Sequence, residues 1–473
     1  MSDFSFKNPN PEVCMLLRFV VENLFCFAGE TLFSMVATKD DAHSNHKVKT
    51  GRVDALRISA LYGANAHGKT RLIRAMALAK RFITEGFKPG QSIPVKPFLL
   101  DSHCRQKPSR FEFTFMVQDV EYAYGFVCDT KRFHEEWLFS RPNKREVMLF
   151  RRDTNAEGVS EFDIGRTLAR GRIEDSSFLG FLIKGVRANE LFLTHAVVNN
   201  FTGLMPVFHW FQKSLIILET NNFSVNLPRL VDGNQDLRNF IGKFLKIADT
   251  GIVEITTKNE KTKFDDLADE VRRQIQKFIG SKAKERGQGM HIVINEETDL
   301  PIEDMLVEKI TLLAQHNTAE GDVVHFPLED ESAGTNRLLE LLPLLYNRSG
   351  SENVYIIDEL DRTLHPSLSR LFIDTFLNLS PDNKNQLIFT THESNLLDLD
   401  LLRRDEIWFV EKDTDGKSHL YPLSSMKIRP DVNIKRGYLH GRFGAIPFIG
   451  NTTALGWNRK EETHEIGKDF QDE

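Results

Sequence analysis

Ile58-Ser59-Ala60-Leu61-Tyr62-Gly63-Ala64-Asn65-Ala66-His67-Gly68-Lys69-Thr70 runs a short apolar strand, Ile58 to Tyr62, straight into a glycine-bearing loop, and a helical stretch, Thr70 to Thr84, follows. Positions 63–70 read G-x-x-x-x-G-K-T. The glycines let the backbone turn tightly enough for its N–H groups to wrap phosphates. Lys69 supplies a point charge to the β- and γ-phosphates, and the Thr70 hydroxyl takes a position on Mg²⁺. The helix that starts at the loop adds the positive end of its dipole. Strand, loop and helix in that order are the context the motif needs. Gly63, Asn65, Gly68, Lys69 and Thr70 are therefore the candidate phosphate-binding residues, and Thr70 a candidate metal ligand.

Working outward, Val354-Tyr355-Ile356-Ile357 is an apolar strand that ends in Asp358-Glu359. Asp358 is suited to hold Mg²⁺, and Glu359, one residue on, to polarise an attacking water. Strands also end in acidic residues simply because they reach solvent; the phosphate loop in the same chain favours the chemical reading. A third motif, Glu331-Ser332-Ala333-Gly334-Thr335-Asn336-Arg337, precedes an apolar helix, Leu338 to Leu345. Ser-x-Gly at a helix start is an anion site, and equally an ordinary N-cap. Its place before Asp358, with His392 closing the strand Gln386–Thr391 beyond it, argues for the phosphate. His392 is positioned to hydrogen-bond a γ-phosphate.

Length and composition set the frame. A chain of 473 residues exceeds one ordinary core and implies two units or one inserted domain. A net charge of −6 carries no global signature for nucleic acid or membrane. Four cysteines, Cys14, Cys26, Cys104 and Cys128, form no C-x-x-C pair and read as reduced thiols. The run Met1–Asn10 has no apolar core of a secretory signal, and no apolar stretch reaches membrane-spanning length, so a cytoplasmic location is expected. The 36 phenylalanines read as core positions.

Strands are expected at Leu16–Phe27, Glu30–Ala37, Phe111–Val117, Glu121–Cys128 and within Glu135–Arg152, an antiparallel layer beside an α/β sheet. From Ser176 to Gly287 the pattern is mainly helical, interrupted at Gly251–Lys258 and without heptads for a coiled-coil arm. Lys309–Gln315 and Val323–Leu328 read as a hairpin. Strands at Val354–Ile357, Gln386–Thr390 and Glu406–Val410 then alternate with helices, the pattern of a parallel sheet. The expected division is 1–175 for the first half of the head, 176–305 for a mainly helical insertion, 306–450 for the second half, and 451–473 for a polar tail.

The order G-x-x-x-x-G-K-T, E-S-x-G-T, D-E-x-D and T-H resembles the ABC/SMC/Rad50 class of ATPases. More narrowly, Tyr62-Gly63-Ala64-Asn65, Asp358-Glu359-Leu360-Asp361 and Leu364-His365-Pro366 resemble the bacterial AAA family ATPases of phage defence: RloA-like and AbiL-like proteins, the ATPase of the PARIS system and, more distantly, OLD proteins. Gly437-Tyr438-Leu439 with Gly441-Arg442-Phe443-Gly444-Ala445 is similar to the end of RloA-like proteins. The resemblance covers roughly residues 15–150 and 305–450. It implies an α/β fold, an ABC-type P-loop head with a mixed central sheet, an antiparallel β layer and a helical insertion. It further implies that Asp358 and Glu359 are the Walker B pair with the catalytic carboxylate and that His392 is the switch histidine. Asp361 would be the D-loop aspartate, and Ser332 and Gly334 the signature that touches ATP held by a second copy. ATP and Mg²⁺ are the implied ligands. The implied partners are a second head, a separate effector (a nuclease or toxin) and a phage protein as trigger. No glutamine is placed in a Q-loop; Gln91 and Gln106 both fall in polar loops. His67 reads as solvent-facing.

Nucleic acid stays open at this point. Arg272, Arg273, Lys277, Lys282, Lys284 and Arg286 read first as a solvated helix face, as acidic 265–270 just precedes them. Arg403–Arg404 and the cluster Arg429, Lys435, Arg436 and Arg442 pose the same question. A RecF/Rad50-like DNA-binding ATPase is the alternative function, and it would need a basic groove. Asp413 and Asp415 read as turn residues of a hairpin between Ile407–Val410 and His419–Leu423, rather than as a nuclease metal site.

Overall fold

The computed structural model describes residues 13–142, 145–169, 173–219, 227–263, 290–294, 306–346, 352–379, 384–428 and 432–446. The basic stretch 272–286, Arg429 and the tail 451–473 lie outside them.

A six-stranded sheet carries the phosphate-loop strand at its centre. From edge to edge it runs Leu215–Leu218, Val354–Ile357, Gln386–Thr390, Ile58–Tyr62, Ile407–Lys412 and Ser418–Pro422, all parallel except the last. Its central strands are buried along their whole length, as parallel strands covered on both faces must be. Alternation along each strand feeds two cores. Ile58, Ala60 and Tyr62 join Phe372, Ile373 and Phe376 of the helix Pro366–Asn378 on one face. Leu61, Val354 and Ile356 join the helix Lys69–Glu85 on the other.

Over that second core lies a seven-stranded antiparallel sheet, ordered Ser160–Ile164, Val147–Thr154, Phe133–Arg141, Val120–Cys128, Ser109–Val117, Cys14–Glu22 and Thr31–Ser34. Much of the phenylalanine content is spent here. Phe111 stacks on Phe126 with centroids 5.0 Å apart, and Phe115 stacks on Trp210 at 4.1 Å. Gln386, the first residue of its strand, ties the sheets together. Its Oε1 accepts from Leu16 N–H at 2.6 Å, and its Nε2 donates to Leu16 O at 3.0 Å and Leu56 O at 2.8 Å.

The middle of the chain is mainly helical where described, with helices at Phe192–Val198, Leu227–Asp232 and Gln235–Ile247. It also supplies a strand that its sequence does not announce: Leu215–Leu218 pairs with Val354–Ile357 at the edge of the parallel sheet. Four apolar residues are too few for periodicity to separate strand from helix. The interruption expected at Gly251–Lys258 is the strand Glu254–Lys263, paired along its length with Leu306–Asn317. The expected hairpin is present: Leu306–Asn317 turns at Glu320–Gly321 into Val323–Pro327.

Candidate functional site

Three neighbouring parallel strands end side by side, and the loops that leave their carboxyl ends build the site, the usual place for one in an open α/β sheet. Ile58–Tyr62 delivers the phosphate loop, Val354–Ile357 delivers Asp358 and Glu359, and Gln386–Thr390 delivers His392. The helix after the loop starts at Lys69, with Gly68 as its cap. Gly68 has φ 122, and a Cβ there would come within 2.9 Å of both Cys26 Sγ and Ser418 Oγ. Ser418 Oγ also donates to His67 O at 2.6 Å, so the antiparallel edge strand pins the loop from outside.

The Lys69 side chain is buried and donates to Gly63 O at 2.7 Å and Ala64 O at 3.2 Å. Burial pushes its ammonium down to about 8, against the pull of Asp358, Glu359 and Asp361. Asn65 is exposed at the loop tip. His67 is not solvent-facing as its sequence reading has it. It is half-buried, and desolvation, aided by Lys412 and Lys69, holds the imidazole below its usual value.

One carboxylate oxygen organises the next part. Asp358 Oδ1 accepts from Thr70 Oγ1 at 3.2 Å and from Thr390 Oγ1 at 2.7 Å. Thr390 Oγ1 in turn accepts the Glu359 N–H at 2.7 Å. Glu359 has φ 52, a left-handed backbone that costs a non-glycine residue on the order of 1–3 kcal/mol and persists only where neighbours enforce it. Thr390 holds its N–H, and Arg337 Nη2 donates to its carbonyl at 3.2 Å. Asp361 Oδ2 accepts the His392 N–H at 3.3 Å. The exposed His392 imidazole is pushed down by desolvation first and by the Lys69 charge second. A hydroxyl and a carboxylate oxygen meeting beside a buried lysine are the donor set that Mg²⁺ with phosphate takes, so the residues present fit the ion.

Ser332 caps the helix Ala333–Leu345: its Oγ accepts the Thr335 N–H at 3.0 Å and lies 2.8 Å from Thr335 Oγ1. A Cβ on Gly334 would come within 2.9 Å of Thr363 O, and Thr363 Oγ1 donates to Ala333 O at 3.2 Å. Ser332 and Gly334 thus make their contacts with their own helix start and with the turn after Asp361, not with residues 63–70. Lys69, Thr70, Asp358, Glu359, Asp361 and His392 are brought together. The signature pair adjoins the turn after Asp361 and makes no hydrogen bond to residues 63–70.

Sequence reasoning missed Thr390, Arg337 and Ser418. Thr390 carried a signal, a polar residue at the end of a buried strand one step before Thr391-His392; the other two act through tertiary contacts. Gln91 and Gln106 are both exposed, with Gln91 Oε1 accepting from Lys88 N–H at 2.9 Å. Asp413 belongs to its hairpin turn, accepting from Asp415 and Lys417 N–H at 3.0 and 2.8 Å and lying 2.9 Å from His419 Nε2.

A buried lysine in a glycine loop, with a shared carboxylate opposite, on a parallel sheet backed by an antiparallel one, defines a P-loop ATPase head of the ABC type. The family model described as "AAA domain, putative AbiEii toxin, Type IV TA system" matches residues 58–398, and the chain belongs to that family. No curated protein matches it. Similar solved structures include the SMC head domain from Thermotoga maritima, at 12% identity and TM-score 0.35, covering 87% of this chain and 99% of that one. An SmcHead bound to the C-winged helix domain of ScpA is 13% identical at TM-score 0.36, with the same coverage. Among the described residues no helix is long and apolar enough to cross a membrane.

Proposed function

We propose that the protein binds and hydrolyses ATP, and that its site is completed by a second copy, the paired state controlling a separate effector in a bacterial anti-phage system. The observation that carries the reading is the Asp358 carboxylate shared by the Thr70 and Thr390 hydroxyls, 3.2 and 2.7 Å away, on the strand end next to the phosphate loop. Thr70 and Asp358 would hold Mg²⁺, which would supply positive charge to the phosphate oxygens. Lys69 exchanges two loop carbonyls for the β- and γ-phosphates, a charge-assisted gain that offsets its desolvation. Gly63, Asn65 and Gly68 shape the loop. Glu359, its backbone turned left-handed by Thr390 and Arg337, orients the attacking water as general base. His392, kept neutral by its surroundings, hydrogen-bonds the γ-phosphate, and Asp361 fixes the His392 backbone.

Ser332 and Gly334 reach the γ-phosphate of the other head, so closure depends on the triphosphate and is undone by its hydrolysis. Neither residue hydrogen-bonds the phosphate loop of its own chain, which supports this arrangement. Loss of the γ-phosphate would then release the effector, a nuclease or toxin, with a phage protein as the trigger. The toxin–antitoxin words in the family's description support a role in a system of that kind and name no separate effector. On this reading the protein works in the cytoplasm, and residues 1–175 and 306–450 form the head together with Leu215–Leu218, the edge strand that the 176–305 segment contributes to the parallel sheet.

The test is a Glu359→Gln protein given ATP and sized by light scattering. An ATP-dependent dimer or larger ring is expected, and adding Ser332→Arg should return it to monomer. A monomer regardless of nucleotide would end the composite-site reading.

A further inference from the structure

Each half of the site carries an exposed apolar patch beside it. On the signature side, the strand Val323–Pro327 is exposed at every residue and, among the described residues, pairs only along its inner edge, with Leu313–Asn317. Val323, Val324 and Phe326 are 45, 40 and 40% exposed. The strand runs through the turn Leu328–Asp330 directly into the cap residue Ser332. On the phosphate side, Leu99 and Leu100 are 59 and 71% exposed. Leu100 packs on Gly416 in the hairpin whose Ser418 pins His67. The same segment is held by Asn23, whose Nδ2 donates to Cys104 O and Lys107 O at 2.8 Å, and Asn23 opens the turn that places Cys26 against Gly68. Exposed large aliphatic side chains in clusters mark contact surfaces, and an edge strand left open is one that solitary proteins usually protect.

The charges on the two patches are opposite and unspent. Glu320, Asp322, Glu329 and Asp330 are exposed along the strand side and, among the described residues, pair with no cation. Arg105 and Lys107 are exposed on the other side and likewise pair with no carboxylate, and Asp101 and Asp413 there keep their charge while turned onto local backbone N–H groups. Like charges at both ends disfavour the strand pairing edge to edge with its own copy; opposite charges favour its meeting Arg105 and Lys107.

From these we infer that the strip 320–330 of one copy docks on the Leu99–Leu100 patch and Arg105 and Lys107 of a second copy. Twofold symmetry makes the contact twice. The inference rests on the composite-site reading and adds where the heads grip each other and what sets their affinity. The docking buries the two apolar patches, and the charge pairing sets register and makes closure salt-sensitive.

The experiment uses the full chain carrying Glu359→Gln with ATP. Leu100→Asp and Phe326→Asp, made separately, should each weaken the ATP-dependent dimer about tenfold or more, while binding of a fluorescent ATP analogue to the monomer is unchanged. Glu329→Lys with Asp330→Lys should weaken it several-fold, and Arg105→Glu with Lys107→Glu in the same chain should restore it. Val324→Cys with Leu100→Cys should give a covalent dimer on oxidation only when ATP is present, with neither single cysteine doing so. If the dimer forms and needs Ser332 but is indifferent to all of these changes, the docking inference is overturned and the composite site stands. If no ATP-dependent dimer forms at all, both fall.

Discussion

The two ends of the parallel sheet are both rich in buried polar groups, yet they treat them differently. At the amino end, Arg57 donates to Leu377 O and Phe376 O at 2.9 and 3.2 Å, Gln386 spans two backbones, and Arg403 forks onto Asp405 at 2.9 and 2.8 Å. Glu406 accepts the Arg403 N–H at 2.7 Å and lies 3.1 Å from His46 Nδ1. Arg403, Glu406 and Gln386 find lasting partners within the chain, and Arg57 leaves only its Nε without one among the described residues. At the carboxyl end, Lys69 settles on two loop carbonyls and Glu359 sits left-handed. Among the described residues, Asp361 Oδ1 and Tyr62 Oη have no hydrogen-bond partner. Buried charge alone therefore does not mark a site. Buried charge whose partners are makeshift does, because such groups hold interactions in reserve for a ligand.

Lys69→Ala should separate the two ends most sharply. Removing the ammonium should lower ATP affinity by about a hundredfold or more, since a charge-assisted contact to phosphate is lost. The melting temperature of the nucleotide-free protein should hold or rise, because a desolvated cation has been removed. Calorimetric binding and a thermal melt check both halves. Unfolding by this variant would place Lys69 with the structural polar groups and erase the contrast.

Gln386→Leu is the opposite case. It leaves Leu16 N–H, Leu16 O and Leu56 O without their partners between two sheets. A buried unsatisfied group costs about 1–3 kcal/mol, so a loss of about 3 kcal/mol or more in urea unfolding is expected, with ATP affinity of the folded protein unaltered. An affinity change matching that of Lys69→Ala would show that the two ends are not separable.

The same contrast explains what the sequence made legible. Lys69, Thr70, Asp358, Glu359 and His392 were readable because each is tied to a local pattern, a loop or a strand end, whose geometry a few residues dictate. The antiparallel layer and the parallel sheet followed from period and order. Leu215–Leu218 was not readable as a strand, for its only distinguishing mark is its pairing with Val354–Ile357, far away in sequence. Gln386, Ser418 and Arg337 were hidden for the same reason: a glutamine, serine or arginine says nothing locally about which distant backbone it will meet. His67 was misjudged because the hairpin that covers it, Ile407–Lys412 with Ser418–Pro422, comes from the other end of the chain.

Acid–base behaviour sharpens the comparison further. In the nucleotide-free protein the Lys69 ammonium, brought down to about 8 from 10.5 by burial, is present below pH 8 and lost above it. ATP needs that charge, so affinity should be full at pH 7 and about tenfold lower at pH 9, where roughly a tenth of the free protein keeps the proton. Stability runs the other way. Between the folded value near 8 and 10.5 the unfolded chain holds a proton that the folded chain has shed, so this group's contribution to stability rises with pH across that window. Binding titrations at three pH values, with Lys69→Ala as the control that should lose the dependence, decide it.

The smallest effect belongs to Tyr62, the residue that ends the phosphate-loop strand. Its ring packs against Tyr438 and Phe409, with centroids 5.9 and 6.3 Å away, while its hydroxyl is buried without a partner among the described residues. Burial, with Asp361 nearby, pushes its ionisation well above the ordinary range, so the hydroxyl stays neutral. Tyr62→Phe keeps the ring contacts and removes an unsatisfied group. If that hydroxyl is idle, the variant should gain up to about 1 kcal/mol in stability with turnover unchanged. If it is one of the interactions held in reserve at this end of the sheet, stability should still rise, but turnover should fall without any change in ATP affinity. No amino-end position such as Arg403, whose guanidinium nitrogens are all bonded, should show that pairing of gain and loss, because a group already satisfied in the folded chain has nothing left to contribute when nucleotide arrives.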